Sequence, residues 1–290
     1  MLDGCHTPSS AEPRVSAQED RVFKPTLLLL TAWLTIGTLR AASDPFVGKW
    51  KLDARRSKQT DQMKVEAAGP NRYVFDFGPG GSPPFAPESV HKTETIVADG
   101  SEQPGHSGTT LSVTPVEPST WKLVRKKDGF TVMTAIFKLS ADARTLSDSF
   151  TSSRPDGWTF SIDYVFARTT GSSGFVGTWE SSNEKVNSVY ELEIQPYQRD
   201  GLVISLPAEH FATKMKFDGR DYPVQGTEVA PGSASSGHRV NKHTLEITDK
   251  IGGKTIDTQR ITLSPDLKTL TMTIQQADQS TPNTLVFNRE

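Results

Sequence analysis

Histidine is the residue type in this sequence that is best suited to acid–base chemistry or metal binding near neutral pH. Five histidines follow residue 43, and they are His91, His106, His210, His238 and His243. Only His238 and His243 are close in sequence, and a metal site built on them would need an Asp or Glu to complete it. Isolated loop histidines are typical of solvated surfaces. We therefore predict no metal site and no catalytic histidine.

A serine-rich run at residues 233–237 (SASSG) is a second place to look for chemistry, because a loop serine can act as a nucleophile. Its composition is more typical of a flexible connector. The sequence contains no Gly-x-Ser-x-Gly, no His-Glu-x-x-His and no phosphate-binding glycine loop. These patterns indicate a non-enzymatic protein without catalytic residues or a cofactor. An enzyme with an unfamiliar site stays open as a third hypothesis.

The charge and composition of the chain exclude some classes of partner. Lys and Arg number 32 and Asp and Glu 34, which gives a net charge of −2. So balanced a chain has no overall field to steer it toward nucleic acid or an anionic membrane. The single cysteine, Cys5, lies upstream of the repeats described below, so those repeats hold no disulfide or thiolate metal site.

The N-terminus has the features of an export signal. Residues 26–39 (TLLLLTAWLTIGTL) form an uncharged apolar run after Lys24. The run is shorter than the about 20 residues that a membrane span needs, and Ala41 and Ser43 suit cleavage. We predict that residues 1–43 are a leader with a signal peptide. Cleavage near Ser43 would leave a secreted or periplasmic protein without a membrane span, and a retained signal anchor is the alternative.

The rest of the chain is built twice. The string Phe-Val-Gly-Lys-Trp at 46–50 returns as Phe-Val-Gly-Thr-Trp at 175–179. We predict two domains, 44–168 and 174–290, joined by the short linker 169–173.

The first repeat contains an insertion that the second repeat lacks. It is the segment GPGGSPPFAP at 78–87, which is too rich in Pro and Gly for a strand. We predict a surface loop at 78–87.

Each repeat divides into eight or nine short strands separated by turn signals, with no convincing helical period. Two-residue turns such as Asp128-Gly129 join antiparallel neighbours. The predicted fold is therefore all-β with little helix. A meander of this length avoids exposed edges by closing into an up-and-down barrel.

The first and last strands of each repeat carry a matching set of residues. Alternate residues from 158 to 166 are aromatic or apolar and share one strand face, which ends in Arg168. Closing the barrel brings the last strand beside the first, so we expect Arg168 to lie over Trp50. The second repeat predicts the same contact between Arg289 and Trp179. An arginine over an indole ring contributes about 0.5–2 kcal/mol.

This arrangement resembles the calycins, the superfamily of lipocalins and fatty-acid-binding proteins. In that family a first-strand Gly-x-Trp and a late basic residue packed across the Trp close the base of the barrel. The resemblance assigns this structural role to Gly48, Trp50, Arg168, Gly177, Trp179 and Arg289. The pattern looks closest to secreted bacterial lipocalin-like proteins with tandem barrels, but no ligand-binding motif of the family is matched, so the ligand-binding residues stay unknown.

These observations favour a secreted, non-enzymatic binding protein. A small hydrophobic ligand would lie in a barrel, with the aromatic-rich first unit preferred, or in the cleft between the barrels. The alternative is an interaction or inhibitor module with solid barrels, which would bind a protein partner through loop 78–87.

Overall fold

The computed structural model describes residues 44–76, 93–226, 229–277 and 279–290. Twenty strands in these residues form two ten-stranded antiparallel sheets. The only helical segments in this part of the chain are two short 3-10 turns at His106–Gly108 and Pro207–Glu209. The prediction of an all-β chain with two antiparallel up-and-down barrels is confirmed. The described residues all belong to one compact unit.

We call the first sheet barrel I. Its strands are β2 (Gln62–Gly69), β3 (Arg72–Asp76), β4 (Thr93–Val97), β5 (Gln103–Pro104), β6 (Thr110–Glu117), β7 (Thr120–Lys127), β8 (Phe130–Leu139), β9 (Thr145–Ser153), β10 (Thr159–Thr170) and β11 (Gly177–Val186). Their order around the sheet is β4-β3-β2-β11-β10-β9-β8-β7-β6-β5.

We call the second sheet barrel II, and it is closed. Its strands are β1 (Gly48–Leu52), β12 (Glu191–Tyr197), β13 (Gly201–Leu206), β14 (Phe211–Met215), β15 (Tyr222–Gly226), β16 (Ser233–Asn241), β17 (Thr244–Ile251), β18 (Lys254–Leu263), β19 (Thr269–Gln276) and β20 (Asn283–Arg289). They follow one another in that order, and β20 pairs with β1.

The two barrels exchange their first strands. β1, from the first repeat, pairs with β12 and β20 of barrel II, whereas β11, from the second repeat, pairs with β10 and β2 of barrel I. The segment 169–173 belongs to a hairpin in which Arg168 lies opposite Trp179. So short a connection favours antiparallel pairing of the strands that it joins. β11 therefore occupies the place beside β10, and β1 fills the equivalent place beside β20.

This exchange corrects one part of the sequence interpretation. The predicted contacts of Trp50 with Arg168 and of Trp179 with Arg289 are wrong, because Trp50 lies opposite Arg289 and Trp179 opposite Arg168. The segments 44–168 and 174–290 are sequence repeats, but neither supplies all the strands of one barrel.

Barrel I is nearly closed. No backbone ladder joins β4 to β5, and the side-chain amide of Gln103 takes its place. This amide accepts a hydrogen bond from the Val97 nitrogen at 2.8 Å and donates one to the Val97 oxygen at 2.7 Å. A buried ion pair between Glu94 on β4 and Arg125 on β7, at 2.6 Å, holds the same side of the barrel.

Each barrel encloses its own cluster of buried apolar side chains. Trp179 belongs to the cluster of barrel I and Trp50 to that of barrel II, and both rings are fully buried. Each exchanged strand therefore supplies a fully buried tryptophan to the core of the barrel that it joins.

The prediction of a flexible connector at 233–237 is also wrong. This segment begins β16, and Ser233, Ser235 and Ser236 are buried there. A Cβ added at Gly237 would lie 2.8 Å from the Phe217 ring, so the small residues allow close packing. Packing of this kind overrides the low strand propensity of Ser and Gly.

Some sequence-based predictions fall on residues that the structure does not describe. They are the leader at 1–43, the loop at 78–87 and His91. In the described residues, no helix has the length and apolar character needed to cross a membrane.

Candidate ligand-binding site

One end of each barrel is covered by an arginine that lies over a tryptophan. The guanidinium carbon lies 4.0 Å from the ring centroid in both the Arg168–Trp179 and the Arg289–Trp50 pair. Each guanidinium also donates to three backbone oxygens, those of Ala143, Gly174 and Val176 for Arg168 and those of Pro45, Val47 and Leu267 for Arg289. We call each pair a plug.

The glycine of each Gly-x-Trp string makes room for its plug. Gly48 and Gly177 have φ of +153° and +150°, a region that side-chain-bearing residues rarely adopt. An added Cβ would lie 2.7 Å from Arg289 Nη1 at Gly48 and 2.8 Å from Arg168 Nη1 at Gly177. The repeated string therefore has a structural role at one barrel end, and any ligand site must lie elsewhere.

Polar side chains lie inside barrel I, beyond its plug. Tyr164 on β10 is the cross-strand partner of both Asp148 on β9 and Glu184 on β11. Asp148 and Tyr164 are each only 6% exposed. The register between β10 and β11 shifts at Ser182, which forms a bulge, and this shift places both Ser181 and Glu184 on the inner face.

Asp61, just before β2, completes the set. The Ser181 hydroxyl accepts a hydrogen bond from the Asp61 nitrogen at 2.8 Å and donates one to Glu184 Oε1 at 2.6 Å. A hydrogen bond from the Tyr164 hydroxyl favours the charged form of Asp61. We call Asp61, Asp148, Tyr164 and Glu184 the acidic group.

Burial makes these acids weak. It raises the pKa of Asp148 to about 8, with a further contribution from the charge of Asp163. It raises the pKa of Glu184 to about 8, together with the nearby charge of Asp61, whose own pKa burial raises to about 6. The pKa of Tyr164 is raised well above its usual value for the same reason. Near neutral pH the group can therefore hold protons or exchange them for another positive charge.

Two oxygens of the acidic group are buried and unsatisfied. Asp148 Oδ1 and Glu184 Oε2 have no hydrogen-bond partner among the described residues. The buried cation of this barrel, Arg125, binds both oxygens of Glu94 and the Thr109 hydroxyl instead. A buried acceptor left unpaired costs about 1–3 kcal/mol, which makes the site costly to maintain for stability alone.

Apolar side chains lie on the side of the acidic group that faces away from the plug. Along β10 the inner face runs from Arg168 through Tyr164 and Ile162 to Phe160, and Phe150 and Val186 lie opposite Ile162 on the neighbouring strands. Met133, Phe150, Phe160 and Val186 are only partly buried, although they pack against the core of barrel I. We call these four residues the apolar rim.

Barrel II contains a different acidic pair. Asp249 and Asp257 lie opposite each other on β17 and β18, and Gln259 donates to Asp249 Oδ2 at 2.6 Å and to Asp257 Oδ1 at 3.3 Å. Burial and the charge of Asp257 raise the pKa of Asp249 well above its usual value. Two acids this close can share one proton, while Asp249 Oδ1 has no hydrogen-bond partner among the described residues.

The barrels contact each other near the apolar rim. Phe160 lies 6.2 Å from Tyr190, and Tyr190 lies 6.5 Å from Phe287 of barrel II, measured between ring centroids. Arg154 lies over the Trp158 ring and pairs with Glu209 at 3.1 Å. Aromatic rings and a shielded ion pair therefore fill the contact at these residues.

The histidines are not gathered into one site. His106 lies in a 3-10 turn, His210 lies 3.6 Å from Asp156, and His238 is exposed on β16. His243 lies in the turn before β17, where its backbone nitrogen donates to Asn241 Oδ1 at 2.8 Å. No group of three or more His, Cys, Asp or Glu side chains in the described ranges is placed to hold a metal ion.

The acidic group was not recognised in the sequence. One signal was available, since Asp148 alternates with Leu146 and Phe150 on β9 and thus interrupts an apolar face. Tyr164 was assigned to the inner face but was counted among the apolar residues. Glu184 could not be assigned to that face, because the bulge at Ser182 shifts the alternation.

Comparison with known proteins does not identify the chain. No protein-family model matches the sequence, and no curated protein matches it with significant similarity.

Proposed function

We propose that this is a non-enzymatic binding protein that holds a small ligand inside barrel I. The observation that carries the proposal is the partly exposed apolar rim above the buried acidic group. Small-molecule sites are typically concave and mostly apolar, with a few placed polar groups. The ligand would pack its apolar part against Phe150, Phe160 and Val186.

The proposal has two further parts. The first is that the protein is related to the calycins, and specifically to the lipocalins, and the second is that it is exported from the cytoplasm. The two antiparallel barrels, each with a Gly-x-Trp strand and a terminal arginine over the Trp, support the former. The apolar run at 26–39 supports secretion or a periplasmic location.

The test is binding of Nile red, a neutral apolar dye, to the purified protein and to two variants. Val186→Trp fills the apolar rim, and the matched control Val165→Trp adds the same ring to the outer face of β10, where Val165 is 36% exposed. We expect saturable binding by the unmodified protein and by the control, and its loss in Val186→Trp. Absence of saturable binding to the unmodified protein, or equal binding by all three, would reject the proposed site.

A further inference from the structure

We infer that the ligand of barrel I is an amphiphilic organic cation, whose charged nitrogen binds Asp148 while its apolar part lies on the apolar rim. This inference rests on the proposed function and adds the chemical class of the ligand. Asp148 carries the argument, because it is 6% exposed and its Oδ1 has no hydrogen-bond partner among the described residues.

The acidic group has many more acceptors than donors. Three carboxyl groups present six oxygens, whereas the neighbouring donors are the hydroxyls of Tyr164 and Ser181. The Ser181 proton is already used by Glu184 Oε1. An ammonium group supplies three donors and a positive charge, which are the two things that this group lacks.

The nearby cations of the protein are engaged elsewhere. Arg125 binds Glu94 and Thr109, and Arg168 binds three backbone oxygens in the plug. A buried acid is normally paired, so uncompensated acids beside the partly exposed apolar rim indicate a partner that is not part of the chain. The acids of barrel II do not carry the same inference. Asp249 Oδ1 also lacks a hydrogen-bond partner among the described residues, but Asp249 and Asp257 lie close enough to share a proton, and Gln259 donates to both.

The cation is organic rather than a metal ion. The described residues provide no group of three or more ligating side chains in metal-binding positions. The apolar rim lies directly above the acids and would contact the body of an organic molecule. Side chains two positions apart on a strand are about 7 Å apart, so the path from Tyr164 past Ile162 to Phe160 is about 13 Å long. A short alkyl or aryl ammonium ion matches this length.

The experiment measures displacement of Nile red by four compounds with the same eight-carbon chain: octylammonium, octyltrimethylammonium, octanol and octanoate. We expect octylammonium to displace the dye at a concentration about tenfold or more below that of octanol, since a charge-assisted hydrogen bond is worth at least that factor. Octyltrimethylammonium should rank between them, because it carries the charge without N–H donors. Octanoate should be the weakest.

Variants then identify the carboxyl group that binds the charged nitrogen of the ligand. Asp148→Asn keeps the shape of the side chain and should abolish the preference for octylammonium while leaving octanol unchanged. Glu184→Gln should reduce the preference in part. The matched control is Glu180→Gln, which makes the same replacement on the outer face of the same strand, β11.

The outcomes separate the two proposals. Dye binding with no preference between octylammonium and octanol, or an unaltered preference in Asp148→Asn, would overturn the cation while keeping the ligand site. Failure of the unmodified protein to bind Nile red or any of the four compounds would overturn both. If Asp148→Asn does not fold, the ratio of octylammonium to octanol in the unmodified protein decides the question.

Discussion

The strand exchange predicts which arginine is energetically coupled to which tryptophan. Arg168 lies 4.0 Å from the Trp179 ring in barrel I, whereas Trp50 belongs to the core of barrel II. We expect Arg168→Met to be coupled to Trp179→Leu and to be additive with Trp50→Leu. The mirror pair is Arg289 with Trp50.

The expected loss of stability and the expected coupling energy follow from the contacts of Arg168. Arg168→Met removes the ring contact and three hydrogen bonds to backbone oxygens, and it should lower the free energy of unfolding by about 1–3 kcal/mol. The ring contact alone should appear as a coupling energy of about 1 kcal/mol between Arg168 and Trp179. Residues without shared contacts add within about 0.5 kcal/mol, so the coupling with Trp50 should be near zero.

The assay is a double-mutant cycle in urea, followed by far-UV circular dichroism because the tryptophans themselves are changed. The protein is compared in four forms for each cycle: unmodified, each single variant and the double variant. A coupling of about 1 kcal/mol between Arg168 and Trp50, together with additivity for Trp179, would refute the exchange and restore barrels built from single repeats.

Three further predictions concern single sites. Gly177→Ala should destabilise the protein by about 1–3 kcal/mol in urea, because its backbone has φ of +150° and the new Cβ would meet the Thr170 carbonyl oxygen and Arg168. Gly174→Ala, with open space around it, should cost less. Asp148→Asn should raise the free energy of unfolding at about pH 9 by several kcal/mol and leave it unchanged near pH 4. The folded-state pKa of Asp148 is about 8, so its ionisation lowers the stability of the unmodified protein as the pH rises from about 4 to 8, and Asn avoids this loss. Arg125→Met should destabilise the protein by about 3–5 kcal/mol, because it leaves Glu94 buried without its partner, and adding Glu94→Gln should recover part of the loss.

Opposite results would contradict the stated causes. An equal loss for Gly174→Ala and Gly177→Ala would mean that the close approach of Gly177 to Thr170 and Arg168 is unimportant. A pH-independent effect of Asp148→Asn would mean that the carboxyl is not buried in its acid form. No recovery on adding Glu94→Gln would mean that the cost of Arg125→Met comes from lost packing.

Sequence patterns predict some strands of this protein correctly and fail for others. Uninterrupted alternation of aromatic residues predicts the last strand of the first repeat at 158–168, and the strand is observed at Thr159–Thr170. The composition of 233–237 predicts a connector instead of the observed strand, because Ser and Gly have low strand propensity unless packing partners favour the strand. The acidic group was missed because its members come from four separate places along the chain.

The sequence by itself determined that the chain is all-β, that it is built twice and that each barrel ends in an arginine over a tryptophan. Those properties depend on alternation and on a repeated string, both of which are local. Only the tertiary structure decided which Trp meets which Arg, because the string Phe-Val-Gly-x-Trp is the same in both repeats and does not distinguish the two barrels. The short connection at 169–173 makes the choice by pairing β11 with β10. The tertiary structure also brought together Asp61, Asp148, Tyr164 and Glu184, since barrel closure and the bulge at Ser182 turn all four toward one interior.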